Sequence, residues 1–173
     1  MNGICHTDTR FWAYRRVHDA YAALEWLANQ PGVDHRRIIV MGMSNGGRSA
    51  LLSVSATETI RYRQFAAAIA LYPTCEGLPP HHLLTPALLL FGGADEHASP
   101  TKCERFTTRR RNAVFPPHIT IYPEAPHLSD VYPSDENYDL PEVIESRIAV
   151  LGFLRQVLNI AQPDSGNKAA LRP

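Results

Sequence analysis

Apolar residues near the start of the chain change their spacing from helical to strand-like and back. Between residues 17 and 28 they recur every three or four positions, which predicts a helix with one buried face that ends at Pro31-Gly32. The largely apolar residues 37–43 then predict a buried strand, and a second helix is expected from residue 45 to about residue 56. A helix, a strand and a helix therefore open the chain.

The same alternation of apolar strands and helices continues toward the end of the chain. Further strands are predicted over residues 66–72, 87–91 and 118–122. One helix is predicted to begin at Pro100, and another is predicted over residues 141–159. Continuous apolar strands separated by helices are typical of a parallel sheet covered on both faces. The expected fold class is α/β, with about four mainly parallel strands flanked by helices in a single domain of residues 1–160, followed by a frayed tail of residues 161–173.

Composition places the chain among globular proteins and removes one class of partner. With 173 residues, 45% of them hydrophobic, the chain is long enough to bury the core of one domain. Its 17 basic residues balance 17 acidic ones, so the net charge does not favour nucleic acid or an anionic surface. The local run Arg109-Arg110-Arg111 is interpreted as the solvated face of a helix.

No segment is expected to enter a membrane, because no run approaches the roughly 20 apolar residues that a membrane span needs. The first residues also lack the apolar core of a secretion signal. The sequence as written therefore predicts a cytoplasmic protein. An extracytoplasmic location is the alternative if an N-terminal segment with a signal has been lost.

The junction between the first predicted strand and the second helix carries the motif Gly42-Met43-Ser44-Asn45-Gly46. In this GxSxG pattern a serine stands on a sharp strand-to-helix turn that exposes its hydroxyl group. Residues without side chains are expected at Gly42 and Gly46 because the strand and the helix pass close together there. The motif predicts that Ser44 is a nucleophile, and the alternative is a buried serine in an ordinary turn.

Two further reactive residues follow predicted strands at the same edge of the sheet as Ser44. Asp95 follows the third predicted strand, and His127 follows the fourth. The carboxyl ends of parallel strands meet at one edge, and the order Ser, Asp, His is the one this topology gives to a nucleophile, an orienting acid and a base. His127 would take the proton of Ser44, and Asp95 would orient the imidazole. The backbone N–H of Asn45 would donate to the oxyanion.

Each of these assignments has a competitor. Asp95 could instead cap the helix that follows it, and the adjacent Glu96 is a rival acid. His97 and the pair His81-His82 are rival bases, although only His127 follows a terminal strand. No carboxylate or further histidine stands at ligand spacing around the pair, so no metal site is predicted.

Several segments, in this order, carry a resemblance to a known family: residues 17–27, 33–38, 42–47, 71–75, 92–95 and 122–127. From residue 16 to about residue 153 the chain resembles the dienelactone hydrolase family of α/β-hydrolases. The resemblance implies a serine hydrolase that cleaves small carboxylic esters or lactones through an acyl-enzyme, without a metal or other cofactor. Dienelactone hydrolases proper carry a cysteine nucleophile, so Ser44 makes the chain similar to the serine-bearing relatives of the family.

The chain departs from the family before residue 10 and after the histidine. Family members have several strands and the first oxyanion loop before the matching region, so a partial α/β-hydrolase fold is expected, from a truncated gene product or a mis-assigned start. The strand before Ser44 would then be a sheet edge, which self-association would hide. Lack of the second oxyanion donor would cost roughly 10²- to 10³-fold in rate. Ser129 stands where the family often has phenylalanine, which puts the contacts beside the base in question.

The resemblance also bears on two of the three cysteines. In relatives of this kind, Cys75 and Cys103 would face each other, since both follow neighbouring strands at the same end of the sheet. Either a disulfide or two buried free thiols is consistent with the sequence. A disulfide would imply an oxidising compartment.

Three functions stay open at this point. The first is an esterase or lactonase whose partner is a small-molecule substrate, and the loops over residues 72–85 and 123–139 are expected to line its pocket. The second is a non-catalytic remnant or binding module that retains the triad residues. The third is a peptidase or acyltransferase on the same fold. Arg48, on the second helix, is expected at the surface, and the alternative is that it contacts an acidic group of the substrate.

Overall fold

One parallel sheet, with its four strands side by side in chain order, forms the centre of the protein. A computed structural model describes residues 9–55, 63–75, 78, 83–103, 115–127 and 141–160. The strands are β1 (Ile39–Met43), β2 (Ala67–Leu71), β3 (Ala87–Gly92) and β4 (His118–Tyr122). The longer helices are α1 (Thr9–Ala28), α2 (Asn45–Ser53) and α3 (Pro141–Val157). The predicted parallel sheet of four strands flanked by helices is confirmed.

The predicted elements differ from the observed ones only at their ends. Each strand begins and ends within two residues of its predicted bounds. Helix α1 starts earlier than predicted, since Ala13 lies one turn before Val17 and both are buried. Helix α2 ends at Ser53 rather than near residue 56, and the helix predicted to start at Pro100 is described over residues 100–103.

The two central strands are buried along their whole length because helices cover both faces of the sheet. Every residue of β2 and β3 is buried. Successive side chains point to opposite faces, so Ala68 and Ala70 join the core under α1 and α2, whereas Ile69 and Leu71 join the core under α3. The carboxyl ends of these two strands are therefore held in place by buried residues on both faces of the sheet.

The outer strands β1 and β4 leave part of their apolar surface in water. Met41 of β1 is 52% exposed, and Ile121 of β4 is 50% exposed. The sequence of β1 predicts a buried strand, and this is wrong because β1 pairs only with β2 among the described residues. Its position at the edge agrees with what the family resemblance implies.

A disulfide joins the loop after β2 to the helical residues that follow β3. Cys75 and Cys103 are bonded, with their Cα atoms 4.9 Å apart, and both side chains are buried. The sequence is consistent with either a disulfide or two free thiols, and the structure has the disulfide. The bond ties together two segments that leave the same edge of the sheet.

Several expectations fall on parts of the chain outside the described residues. These are the tail of residues 161–173, the arginine run, the His81-His82 pair, Ser129 and much of the predicted pocket loops. The division into one domain and a tail stays a prediction. Within the described segments, no helix is both long and apolar enough to cross a bilayer.

The disulfide is expected to stabilise the protein. The double substitution Cys75→Ser and Cys103→Ser should lower the free energy of unfolding by about 3 kcal/mol, because closing a loop of this size restricts the unfolded chain. Urea denaturation without reductant measures the change. The control Cys5→Ser removes the third cysteine and should leave the midpoint where it is. An unchanged midpoint in the double variant would contradict the expectation.

Self-association through β1 also stays a prediction. A twofold pairing of β1 with β1 of a second copy would satisfy the edge that is unpaired among the described residues and would cover Met41. We expect a dimer in light scattering coupled to size exclusion, and Met41→Lys should shift it toward monomer. Leu151→Lys changes an apolar residue on α3 that is also 52% exposed and serves as the matched control. A wild-type monomer at high concentration would count against this edge as an interface.

Candidate active site

Ser44 occupies the turn that joins β1 to α2, in a backbone conformation that is unusual for a residue with a side chain. Its φ of 51° and ψ of −119° lie outside the common regions, which typically costs about 1–3 kcal/mol. Its N–H donates to the carbonyl of Leu71 at 2.9 Å, and its own carbonyl accepts from the N–H of Arg48 at 3.0 Å. Its hydroxyl does not cap α2, so it is available to another partner.

The close approach of β1 and α2 depends on Gly42 and Gly47. A Cβ at Gly42 would overlap the carbonyl group of Gly46, and one at Gly47 would lie 3.1 Å from the carbonyl oxygen of Gly42. Nothing lies within 4 Å of a Cβ built at Gly46. The expectation that Gly46 must lack a side chain for this approach is therefore wrong, because α2 presents the carbonyl group of Gly46 to the strand.

Three side chains from separate strand ends meet beside this turn. Nε2 of His127 lies 3.1 Å from Oγ of Ser44, and Nδ1 of His127 lies 2.7 Å from Oδ2 of Asp95. A carboxylate only accepts hydrogen bonds, so Nδ1 carries the donated proton and Nε2 of the neutral ring accepts from the serine hydroxyl. The side chain of Asp95 is fully buried, and that of His127 is 15% exposed.

The two oxygens of Asp95 have different partners. Oδ1 accepts from the backbone N–H groups of His97 and Ala98, both at 2.8 Å, while Oδ2 accepts from His127. Asp95 therefore holds its own turn and orients the imidazole at the same time, so these two interpretations do not exclude each other. The rival acid Glu96 points into solvent.

The loop that carries His127 reaches Asp95 because β3 ends in two glycines. A Cβ at Gly92 would overlap the carbonyl group of Ala125, and one at Gly93 would lie 2.8 Å from Cα of Pro123. The N–H of Gly93 donates to the carbonyl of Tyr122 at 2.7 Å. The sequence marks this pair only as the end of a strand, and its role in bringing the two loops together was missed.

Among the described residues, two rings contact the imidazole of His127. The ring of Tyr72 is buried, with its centroid 5.9 Å away, and the ring of His97 is exposed, with its centroid 5.4 Å away. Tyr72 has a φ of 47°, which is rare for a bulky residue. Sequence reasoning placed Tyr72 at the end of a strand and treated His97 as a rival base, so neither contact was predicted.

The first residues of α2 complete the described part of the site. Asn45 is the first residue of α2, so its N–H lies at the helix N-terminus beside Ser44. Its Oδ1 accepts from the hydroxyl of Thr74 at 3.3 Å. The expected surface position of Arg48 is wrong. Only 2% of Arg48 is exposed, because α2 is covered by α1 and the sheet.

Metal ligation was not predicted, and the rival histidine pair lies outside the described residues. Within the described segments, no group of three or more His, Cys, Asp or Glu side chains could hold a metal ion. The arrangement instead suits chemistry at a hydroxyl group. A buried carboxylate fixes an imidazole, whose free nitrogen faces a serine hydroxyl held on a strained turn.

Comparisons with known proteins give one family and one fold. The sequence model described as the dienelactone hydrolase family matches residues 6–158. A search of curated proteins found no match. A structure from Klebsiella pneumoniae subsp. pneumoniae, provisionally named a dienelactone hydrolase, has a TM-score of 0.68 at 24% identity, and the match covers 83% of this chain and 62% of that one.

Two further solved structures have the same fold. Thermogutta terrifontis esterase 2, phosphoramylated by tabun, has a TM-score of 0.66 at 21% identity, covering 85% of this chain and 66% of that one. An α/β-hydrolase from a Medee basin deep-sea metagenome library has a TM-score of 0.69 at 16% identity, covering 83% of this chain and 65% of that one. The chain thus spans less than two thirds of each of these structures and has the α/β-hydrolase fold.

The difference between the two glycines of the motif can be measured. Gly42→Ala should lower the free energy of unfolding by about 1–3 kcal/mol, since β1 or α2 must shift to make room. Gly46→Ala should be neutral or stabilising by up to about 1 kcal/mol, since alanine favours a helix and its Cβ meets no atom. Urea denaturation of both variants tests the assignment. Equal destabilisation by the two substitutions would contradict it.

Proposed function

This chain belongs to the dienelactone hydrolase family, and from that premise we propose that it is a serine hydrolase that cleaves small carboxylic esters or lactones. The observation that supports the proposal most directly is the chain of contacts from Ser44 through His127 to Asp95, with separations of 3.1 Å and 2.7 Å. These residues supply the nucleophile, the base and the orienting acid that acyl transfer needs. No metal or other cofactor takes part in this reaction.

The first half of the proposed reaction transfers the acyl group to Ser44. As Oγ attacks the carbonyl carbon, Nε2 of His127 takes the serine proton, and the resulting imidazolium is stabilised by the carboxylate of Asp95. The carbonyl oxygen becomes an oxyanion that accepts from the N–H of Asn45. When the bond to the alcohol oxygen breaks, His127 returns the proton to that oxygen and the alcohol leaves. Ser44 then carries the acyl group as an ester.

The second half of the reaction releases the acid. Water attacks the acyl-enzyme while His127 removes one of its protons, and the proton then passes to Oγ of Ser44 as the acid departs. The same imidazole therefore serves as base and acid in both halves, which is why its orientation by Asp95 matters.

The rate of the proposed reaction depends on whether a second N–H group donates to the oxyanion. The N–H of Tyr72, on the neighbouring strand end, already donates to the carbonyl of Leu90 at 2.8 Å and is not available. The N–H of Asn45 is the one oxyanion donor proposed among the described residues, and the loss of one such donor typically costs roughly 10²- to 10³-fold in rate.

Two other functions are compatible with the family and are separated by experiment. A non-catalytic remnant would keep the three residues without activating the serine, whereas the aligned contacts of His127 favour an activated one. A peptidase or an acyltransferase would use the same three residues, with an amine or another acceptor in place of the alcohol or water.

Covalent labelling of Ser44 tests the proposed function. We expect a fluorophosphonate probe to label the wild-type protein, because only an activated serine attacks phosphorus readily. Ser44→Ala should abolish labelling and lower kcat/KM for p-nitrophenyl acetate by a factor on the order of 10⁴ or more. Ser99→Ala is the matched control, since the Ser99 hydroxyl contacts only Thr101 among the described residues.

The outcomes distinguish the candidate functions. Folded wild-type protein that neither takes up the label nor cleaves the ester would support the non-catalytic remnant. Cleavage of a peptide amide without cleavage of p-nitrophenyl acetate would support a peptidase. Labelling together with transfer of the acetyl group to an added alcohol in preference to water would support an acyltransferase.

A further inference from the structure

The imidazole of His97 stands at the surface of the site without a role in the triad. Its ring is exposed and meets the ring of His127 edge-on, with 5.4 Å between centroids and 67° between planes. Within the described residues, its ring nitrogens have no hydrogen-bond partner. An exposed ring with free nitrogens beside a reactive imidazole can bind a polar group of an incoming molecule.

The position of His97 is held by the same carboxylate that orients His127. The N–H of His97 donates to Oδ1 of Asp95 at 2.8 Å, and the next N–H, that of Ala98, does the same. Ala98 is buried, so the residue after His97 is held by packing as well as by this hydrogen bond. The ring of His97 is therefore presented from a fixed backbone, which reduces the entropy that a substrate contact would cost.

The chemistry of acylation indicates which part of a substrate passes His97. His127 returns its proton to the leaving oxygen, so the alcohol part of an ester must lie beside Nε2 of His127. Of the two rings that contact this imidazole within the described residues, Tyr72 is buried and His97 is exposed. Of these two rings, it is therefore that of His97 which a molecule arriving from solvent can contact.

Resting on the proposed function, we propose that His97 is a specificity-determining residue that donates a hydrogen bond to an oxygen in the alcohol part of the substrate. The favoured substrates are esters whose alcohol carries an ether or hydroxyl oxygen near the ester bond. A histidine ring always has at least one N–H to donate. Esters with a purely hydrocarbon alcohol lack the acceptor and gain nothing from His97.

Two esters that differ by one atom test this inference. Butyl acetate and 2-methoxyethyl acetate have the same number of heavy atoms, and the second has an ether oxygen in place of a methylene group. Both leave the same acetyl group on Ser44, so their deacylation is identical and the difference in kcat/KM reports acylation. Division of the variant's ratio by the wild-type ratio removes the difference in intrinsic reactivity between the two esters.

His97→Ala is expected to lower the preference for 2-methoxyethyl acetate over butyl acetate by about three- to tenfold, the loss of one hydrogen bond. In this variant, kcat/KM for 2-methoxyethyl acetate should fall, whereas kcat/KM for butyl acetate should stay the same. His97→Gln keeps an N–H donor and should recover part of the preference. Glu96→Ala changes the exposed neighbour and should keep the wild-type ratio. Fluorophosphonate labelling of each variant checks that Ser44 stays reactive.

The results separate failure of this inference from failure of the proposed function. An unchanged ratio in His97→Ala, or an equal loss with both esters, would overturn the role of His97 while leaving the esterase in place. A wild-type protein that hydrolyses neither ester and takes up no label would overturn the proposed function, and the inference on His97 would fall with it.

Discussion

Direct contact between backbone segments determines the geometry of the site. Where β1 turns into α2, the bare Cα of Gly42 lies against the carbonyl group of Gly46, and where β3 ends, Gly92 lies against that of Ala125. Each approach is closer than any side chain permits. The approach at Gly42 determines where Ser44 lies relative to the sheet, and the approach at Gly92 brings the loop that carries His127 to Asp95. The hydrogen bonds of His127 to Ser44 and Asp95 depend on both close approaches, because a small displacement of either segment would make these bonds too long.

The buried central strands hold Ser44 and Tyr72 in strained backbone conformations. Ser44 and Tyr72 both have positive φ, and each N–H donates to the carbonyl at the end of the neighbouring strand, Ser44 to Leu71 and Tyr72 to Leu90. Such conformations persist only where the surroundings over-determine them. Here the surroundings are β2 and β3, whose residues are buried on both faces. The turn that carries Ser44 therefore depends on buried strands that lie outside the candidate site.

Local pattern and chain order were sufficient to predict the strands and the positions of Ser44, Asp95 and His127 at one edge of the sheet, because an apolar run and its following turn are local properties. Burial was not predictable in the same way: β1 is as apolar as β2, and only the number of neighbouring strands distinguishes Met41 from Ile69. The same holds for Arg48, which is buried by α1. Ring contacts of His127, and the close approach at Gly92, arise between distant segments and leave no periodic signal in the sequence.

A single carboxylate links the proposed base and the proposed recognition residue. Asp95 accepts from His127 at Oδ2 and from the backbone N–H groups of His97 and Ala98 at Oδ1. If the carboxylate moved, His127 and the ring of His97 would move with it, so the base and the group proposed to select the alcohol keep their relative positions. Because Asp95 holds its own turn and would also orient the proposed base, a substitution at this position is expected to affect proton transfer and the position of His97 together.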